Sequence, residues 1–357
     1  MSRKIVLFVI IAIVISGCAA TPEEAMPPDT PTPKPIPTNT PTPEPKPTDI
    51  PIPEPATLEE ISVIFDNETL ILEEIIIVFK NLFPGGIEYD ENGERFLLGS
   101  MSQRTIFQVL DDGTFEPFNE DPDLSGIRAL EIDRINQRLL VANNNEGEGK
   151  SYLNAYDLSS GDRIFRAEIS SINPDLPHWA RDVAVDAAGN AYVTDMESNA
   201  IYRVDMEGNP TLFLEHTQFS SLNAIVYHPN GFLLLASYPG VFFGEFQLLK
   251  IPLDNPDVIE VEITDGYWGF MGIDGMIMHP DGTLIMVTYP GNDTGRLHSD
   301  DGWDTAQFVG RSMGHTDVFG SAIALRGEEV YVIYSHLDLY FDGLDQSEFN
   351  IVRVIYE

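Results

Sequence analysis

Cysteine is almost absent: the 357 residues contain one, Cys18. That excludes an intramolecular disulfide framework, a thiolate zinc site and a cysteine nucleophile in the folded part. Basic residues are scarce too, 20 Lys and Arg against 57 Asp and Glu, leaving a formal charge of −37. A chain this acidic repels phosphate backbones and anionic headgroups, so nucleic acid is not expected as a partner, nor is polybasic docking to a membrane. None of the histidines forms an H-E-x-x-H pair, and there is no G-x-S-x-G elbow or phosphate-cradling glycine-rich loop. Few segments carry the 3.6-residue apolar period of an amphipathic helix. Apolar residues are plentiful at 43%, enough for a large core.

At the N-terminus, Arg3 and Lys4 precede an apolar run from Ile5 to Ile15, then Ser16, Gly17 and Cys18. This is the layout of a secretory signal. The run is shorter than the roughly 20 apolar residues of a comfortable membrane span. Its ending resembles the bacterial lipobox, at which the cysteine becomes the lipidated N-terminus of the mature protein. The resemblance implies a signal peptide over 1–17, palmitate-type acylation of Cys18 and a lipid bilayer as partner through that residue. It also implies a cell-envelope location outside the cytoplasm. An ordinary signal peptide with an accidental cysteine, or a single-span anchor, are the alternatives.

A spacer follows. Residues 21–55 hold 14 of the chain's 26 prolines and no glycine, with Thr-Pro-Thr-Pro repeated from Thr30 and from Thr40. Alternating prolines lock φ and favour polyproline II, so 35 residues reach at most on the order of 110 Å. The expected organisation is a signal over 1–17, a disordered Pro/Thr-rich linker over 18–57 and a folded domain over 58–357.

Within the folded domain one unit recurs: an apolar strand, a Gly/Asn/Asp turn, then a second apolar strand. Clear examples run from Ala224 through His228-Pro-Asn-Gly231 to Ser237, and from Gly275 through His279-Pro-Asp-Gly282 to Thr288. Asn-Gly and Asp-Gly between apolar runs are strong hairpin signals. The residue just before each first strand falls at Gly85, Arg128, Arg181, Asn223, Asp274 and Ser321. Those spacings fit the roughly 40–50 residues of a four-stranded propeller blade. The predicted fold is all-β, a six-bladed β-propeller. Its last blade lacks a fourth strand after Asn350–Tyr356, while Glu74–Phe79 is a surplus strand upstream of the first blade. Pairing the two would close the ring and remove two exposed edges. Ile61–Phe65 has no assigned place.

First strands line a propeller's channel, so the six pre-strand residues are expected to form a polar ring at one mouth, suited to a small-molecule ligand. Alternatively, Arg128 or Arg181 simply neutralises Asp274 or Asp182 there. Gly266-Tyr-Trp-Gly-Phe270 is a candidate aromatic wall of the mouth or packing between blades.

Three stretches, Phe83–Asp90, Leu222–Tyr227 and Ile273–Met278 followed by His-Pro-Asp-Gly, resemble the gluconolactonase family. That family includes senescence marker protein (regucalcin) and is similar to strictosidine synthase-like propellers; the resemblance spans roughly residues 80–357. It implies a divalent cation, commonly calcium, at the channel mouth, with Asn223 and Asp274 among its ligands. It also implies Asp274 as general base toward water or a lactone. The cation would polarise a lactone or ester carbonyl, and Arg128 or Arg181 would hold an oxyanion or a substrate carboxylate. The family's first ligand, a glutamate, is replaced by Gly85, and strand alternation places Glu88 on the opposite face from Gly85. Two functions are therefore expected from the sequence: metal-assisted hydrolysis of a lactone or ester, or a non-catalytic propeller binding a ligand or protein.

Overall fold

The computed structural model describes residues 57–66, 71–238, 246–265, 272–288, 293–312, 318 and 320–356. The signal, Cys18, nearly all of the linker and Gly266–Phe270 lie outside these residues. The described residues form six sheets, antiparallel but for one edge strand. Their first strands are Pro84–Asp90, Gly126–Asp133, Ala180–Val185, Ile225–His228, Ile273–Met278 and Gly320–Arg326. Each first strand packs beside the next, and Gly320–Arg326 returns to Pro84–Asp90, closing a ring. This is the six-bladed β-propeller read from the repeats.

The hairpin glycines explain why the chain turns where it does. Gly231 and Gly282 hold φ of +87° and +86°, a left-handed conformation that costs a residue without Cβ little. Between blades, apolar side chains from alternating positions interlock. One such cluster packs Phe96, Leu98 and Phe107 of the first blade against Tyr331, Phe349 and Ile351 of the last.

The closure differs from expectation by one strand. Leu72–Phe79 pairs antiparallel with Glu348–Val354, matching Glu74 to Val352 and Ile77 to Phe349, and so supplies the missing fourth strand. Leu58–Phe65, unplaced by the sequence, pairs outside it as a fifth. Leu72, Ile75, Ile77 and Phe79 are all at most 4% exposed, each contributing about 1.5–3 kcal/mol by burial. A further strand, Glu262–Asp265, runs parallel along the outer edge of blade five.

Candidate functional site

The polar ring is built from backbone irregularities. In five blades the first strand slips by one residue against the second, between Pro84 and Gly86, Ile127 and Ala129, Ala180 and Asp182, Ile273 and Gly275, and Gly320 and Ala322. The unpaired extra residue is in each case the ring member: Gly85, Arg128, Arg181, Asp274 or Ser321. A β-bulge re-aims its side chain. In blade four the N–H of Asn223 pairs with the Ala236 carbonyl at 3.0 Å, just before the regular strand begins. The central cavity, about 780 Å³, is lined by the other five.

Asn223 and Asp274 face one another, as the sequence reading required. Asn223 Nδ2 donates to Asp274 Oδ1 at 3.3 Å, to the Ile273 carbonyl at 2.8 Å and to Tyr238 OH at 3.2 Å. Arg181 Nη2 reaches Asp274 Oδ1 at 3.0 Å, so the neutralising pair is Arg181 with Asp274. Among the described residues no arginine is ion-paired with Asp182, which accepts the backbone N–H groups of Ile225 and Val183, each at 2.9 Å. Tyr238 was not anticipated. Burial pushes its phenol well above the ordinary tyrosine range, and it donates to the Ile273 carbonyl at 2.5 Å. The Ser321 hydroxyl is engaged with that of Ser335 at 2.5 Å.

Arg128 is the least satisfied member. Its side chain is 3% exposed. Its guanidinium carbon lies 4.3 Å from the Trp179 ring centre and 5.4 Å from that of Phe341, and Nη1 contacts Met101 Sδ at 3.5 Å. Among the described residues Nε and Nη2 have no hydrogen-bond partner. Burial, assisted by the neighbouring Arg181 charge, lowers its pKa to about 9.

Deeper in the channel stand Glu88, Glu131 and Asp182. The expectation for Glu88 is corrected: it lines the same channel as Gly85, because the bulge at Gly85 adds one residue and resets the alternation. Burial raises Glu88 and Asp182 to about 7 each, and Glu131 well above the usual carboxylate range.

The residues present do not fit a calcium site. That ion takes six to eight oxygens, and the matching positions offer the unpartnered Asn223 Oδ1 and the Asp274 carboxylate, which already holds a guanidinium. At Gly85 the carboxylate is missing and there is no room for one: an added Cβ would overlap the Ile127 carbonyl oxygen and lie 3.1 Å from Met101 Cγ. Among the described residues no group of three or more His, Cys, Asp or Glu is placed to hold a metal.

The fold defines a class, and solved structures agree. The Malassezia sympodialis allergen Mala s 1 is similar with a TM-score of 0.65 at 16% identity, over 79% of this chain and 96% of that one. A gluconolactonase from Xanthomonas campestris is similar at 0.54 and 12%, over 85% and 98%. A catalytically inactive virginiamycin B lyase from Staphylococcus aureus is similar at 0.53 and 12%, over 84% and 96%. No family model and no curated protein matches the chain. At such identities the likeness establishes the six-bladed propeller. The three neighbours differ in function, so the site decides the rest.

Proposed function

We propose that this chain is a lipid-anchored propeller outside the cytoplasm that binds a small organic anion at the Arg128–Arg181 mouth of its channel without turning it over. The observation that carries the reading is the buried Arg128 guanidinium, whose Nε and Nη2 make no hydrogen bond among the described residues. An unsatisfied buried charge is costly, and a ligand carboxylate relieves that cost by taking both N–H groups side-on. The likeness to a gluconolactonase makes a sugar acid a reasonable first ligand. Metal-assisted lactone hydrolysis is the second reading; it needs Asp274 released from Arg181 and a third oxygen ligand where Gly85 stands. The tether rests on Cys18 and on the proline-rich spacer behind it.

Titration calorimetry with gluconate tests binding, with Arg128→Met expected to weaken it by about 2–5 kcal/mol, roughly 30- to 5,000-fold. Undiminished affinity in that variant refutes the anion site. Hydrolysis of glucono-δ-lactone that disappears in Asp274→Ala would establish turnover instead. Labelling with a radioactive fatty acid, lost in Cys18→Ser, tests the anchor.

A further inference from the structure

We infer that Glu146 is a built-in competitor for the Arg128 site, its carboxylate standing against the guanidinium edge until an incoming carboxylate displaces it. The inference rests on the reading that Arg128 receives an anion. A guanidinium has two flat faces and three edges, and here most are taken. Trp179 and Phe341 lie over Arg128, and Met101 Sδ meets Nη1. What remains is the edge formed by Nε and Nη2, two parallel N–H donors at the spacing of the two oxygens of one carboxylate. A carboxylate already stands beside Nη2. Glu146 Oε1 is 3.9 Å from Nη2, inside ion-pair range but too far for a hydrogen bond.

Glu146 reaches this position from a surface turn. It follows the strand Arg138–Asn145 and precedes Lys150–Asp157. The turn is closed by the Glu148 N–H on the Asn145 carbonyl and the Gly149 N–H on the Glu146 carbonyl. The side chain leans back over Gly126, where any Cβ would lie 3.9 Å from Oε1. The two partners differ sharply in exposure, 3% for Arg128 and 53% for Glu146. Solvent therefore supports the glutamate when it swings out, whereas the arginine cannot follow it. An entering ligand exchanges one carboxylate for another at a fixed donor edge, and its affinity is reduced by whatever Glu146 contributes.

The test uses the folded chain, with Glu146→Gln and Arg128→Met, and benzoate and gluconate as carboxylate probes in calorimetry. Glu146→Gln is expected to tighten carboxylate binding by about 2- to 5-fold, the worth of an ion pair with one solvent-exposed partner. Unchanged affinity in Glu146→Gln, with binding lost in Arg128→Met, overturns the competitor and leaves the anion site standing. Undiminished binding in Arg128→Met removes both. Hydrogen exchange of the Glu148 and Gly149 amides gives a readout that needs no probe. Both variants should speed exchange in the turn, and rates equal to the parent's in both would also overturn the inference.

Discussion

Replacing Glu88 by glutamine should make the propeller more stable at pH 8 and leave it nearly unchanged at pH 5. Glu88 is 4% exposed. Its Oε2 has no hydrogen bond, and the nearest cation, Arg134 at 3.7 Å, is itself half-exposed. Burial chiefly raises the carboxyl from 4.5 to about 7, with Arg134 opposing and Asp182 adding to the rise. A carboxyl whose folded pKa exceeds its unfolded one binds more protons in the native state. Stability is then greatest below the unfolded value and falls as pH rises through the folded one. The rise from 4.5 to about 7, which already includes the Arg134 attraction, corresponds to about 3 kcal/mol. Glutamine, neutral at every pH, should therefore gain on the order of 1–3 kcal/mol at pH 8 and little at pH 5. Urea unfolding at the two pH values, with the slope checked for constancy, measures this. Equal shifts at both pH values, or none at pH 8, would refute the claim that an ionised Glu88 burdens the native channel.

His178 should carry a proton at neutral pH. Its Nδ1 meets Asp195 Oδ2 at 2.7 Å and its Nε2 the Asn173 carbonyl at 2.9 Å, two acceptors that call for two N–H groups. Burial disfavours the charge, but these hydrogen bonds outweigh it and hold the pKa above 6.5. That stability is fully present below 6.5 and lost as pH rises through the raised value, so nitrogen-detected NMR should show an imidazolium at pH 7. His178→Gln should cost about 3 kcal/mol at pH 6 and less at pH 9. Gly85→Ala, forced against the Ile127 carbonyl, should lose about 1–3 kcal/mol in thermal unfolding. Millimolar calcium should leave the melting temperature of the parent unmoved, since only a ligand that prefers the folded state raises it. Deleting the chain through Phe79 removes four buried latch side chains, about 6–12 kcal/mol together. Circular dichroism of that truncation should show no cooperative transition.

The blade count was legible because paired apolar runs recur six times and five of the six hairpins between them carry a glycine, both local signals. The latch was legible for a related reason: a strand short at one end and a strand spare at the other must be reconciled. The ring positions could be named, but their geometry could not. A bulge is a single-residue departure from a period of two, and nothing in Gly85-Gly86 or Arg128-Ala129 announces it in sequence. Missing it misplaces every later residue on the strand, which is why Glu88 was assigned the wrong face. Tyr238, at the end of an apolar run, gave no polar signal, yet it braces Asn223 from the next strand. The arginines show most clearly where sequence reasoning stops. Arg128 and Arg181 are the same residue type at equivalent positions, and only their neighbours separate them. Arg181 faces Asp274 and is spent on a structural pair. Arg128 faces Trp179, Phe341 and Met101, which take its surfaces without matching its charge. The anion-binding proposal therefore rests on the second blade, whereas Arg181 is ion-paired with Asp274, which Asn223 braces.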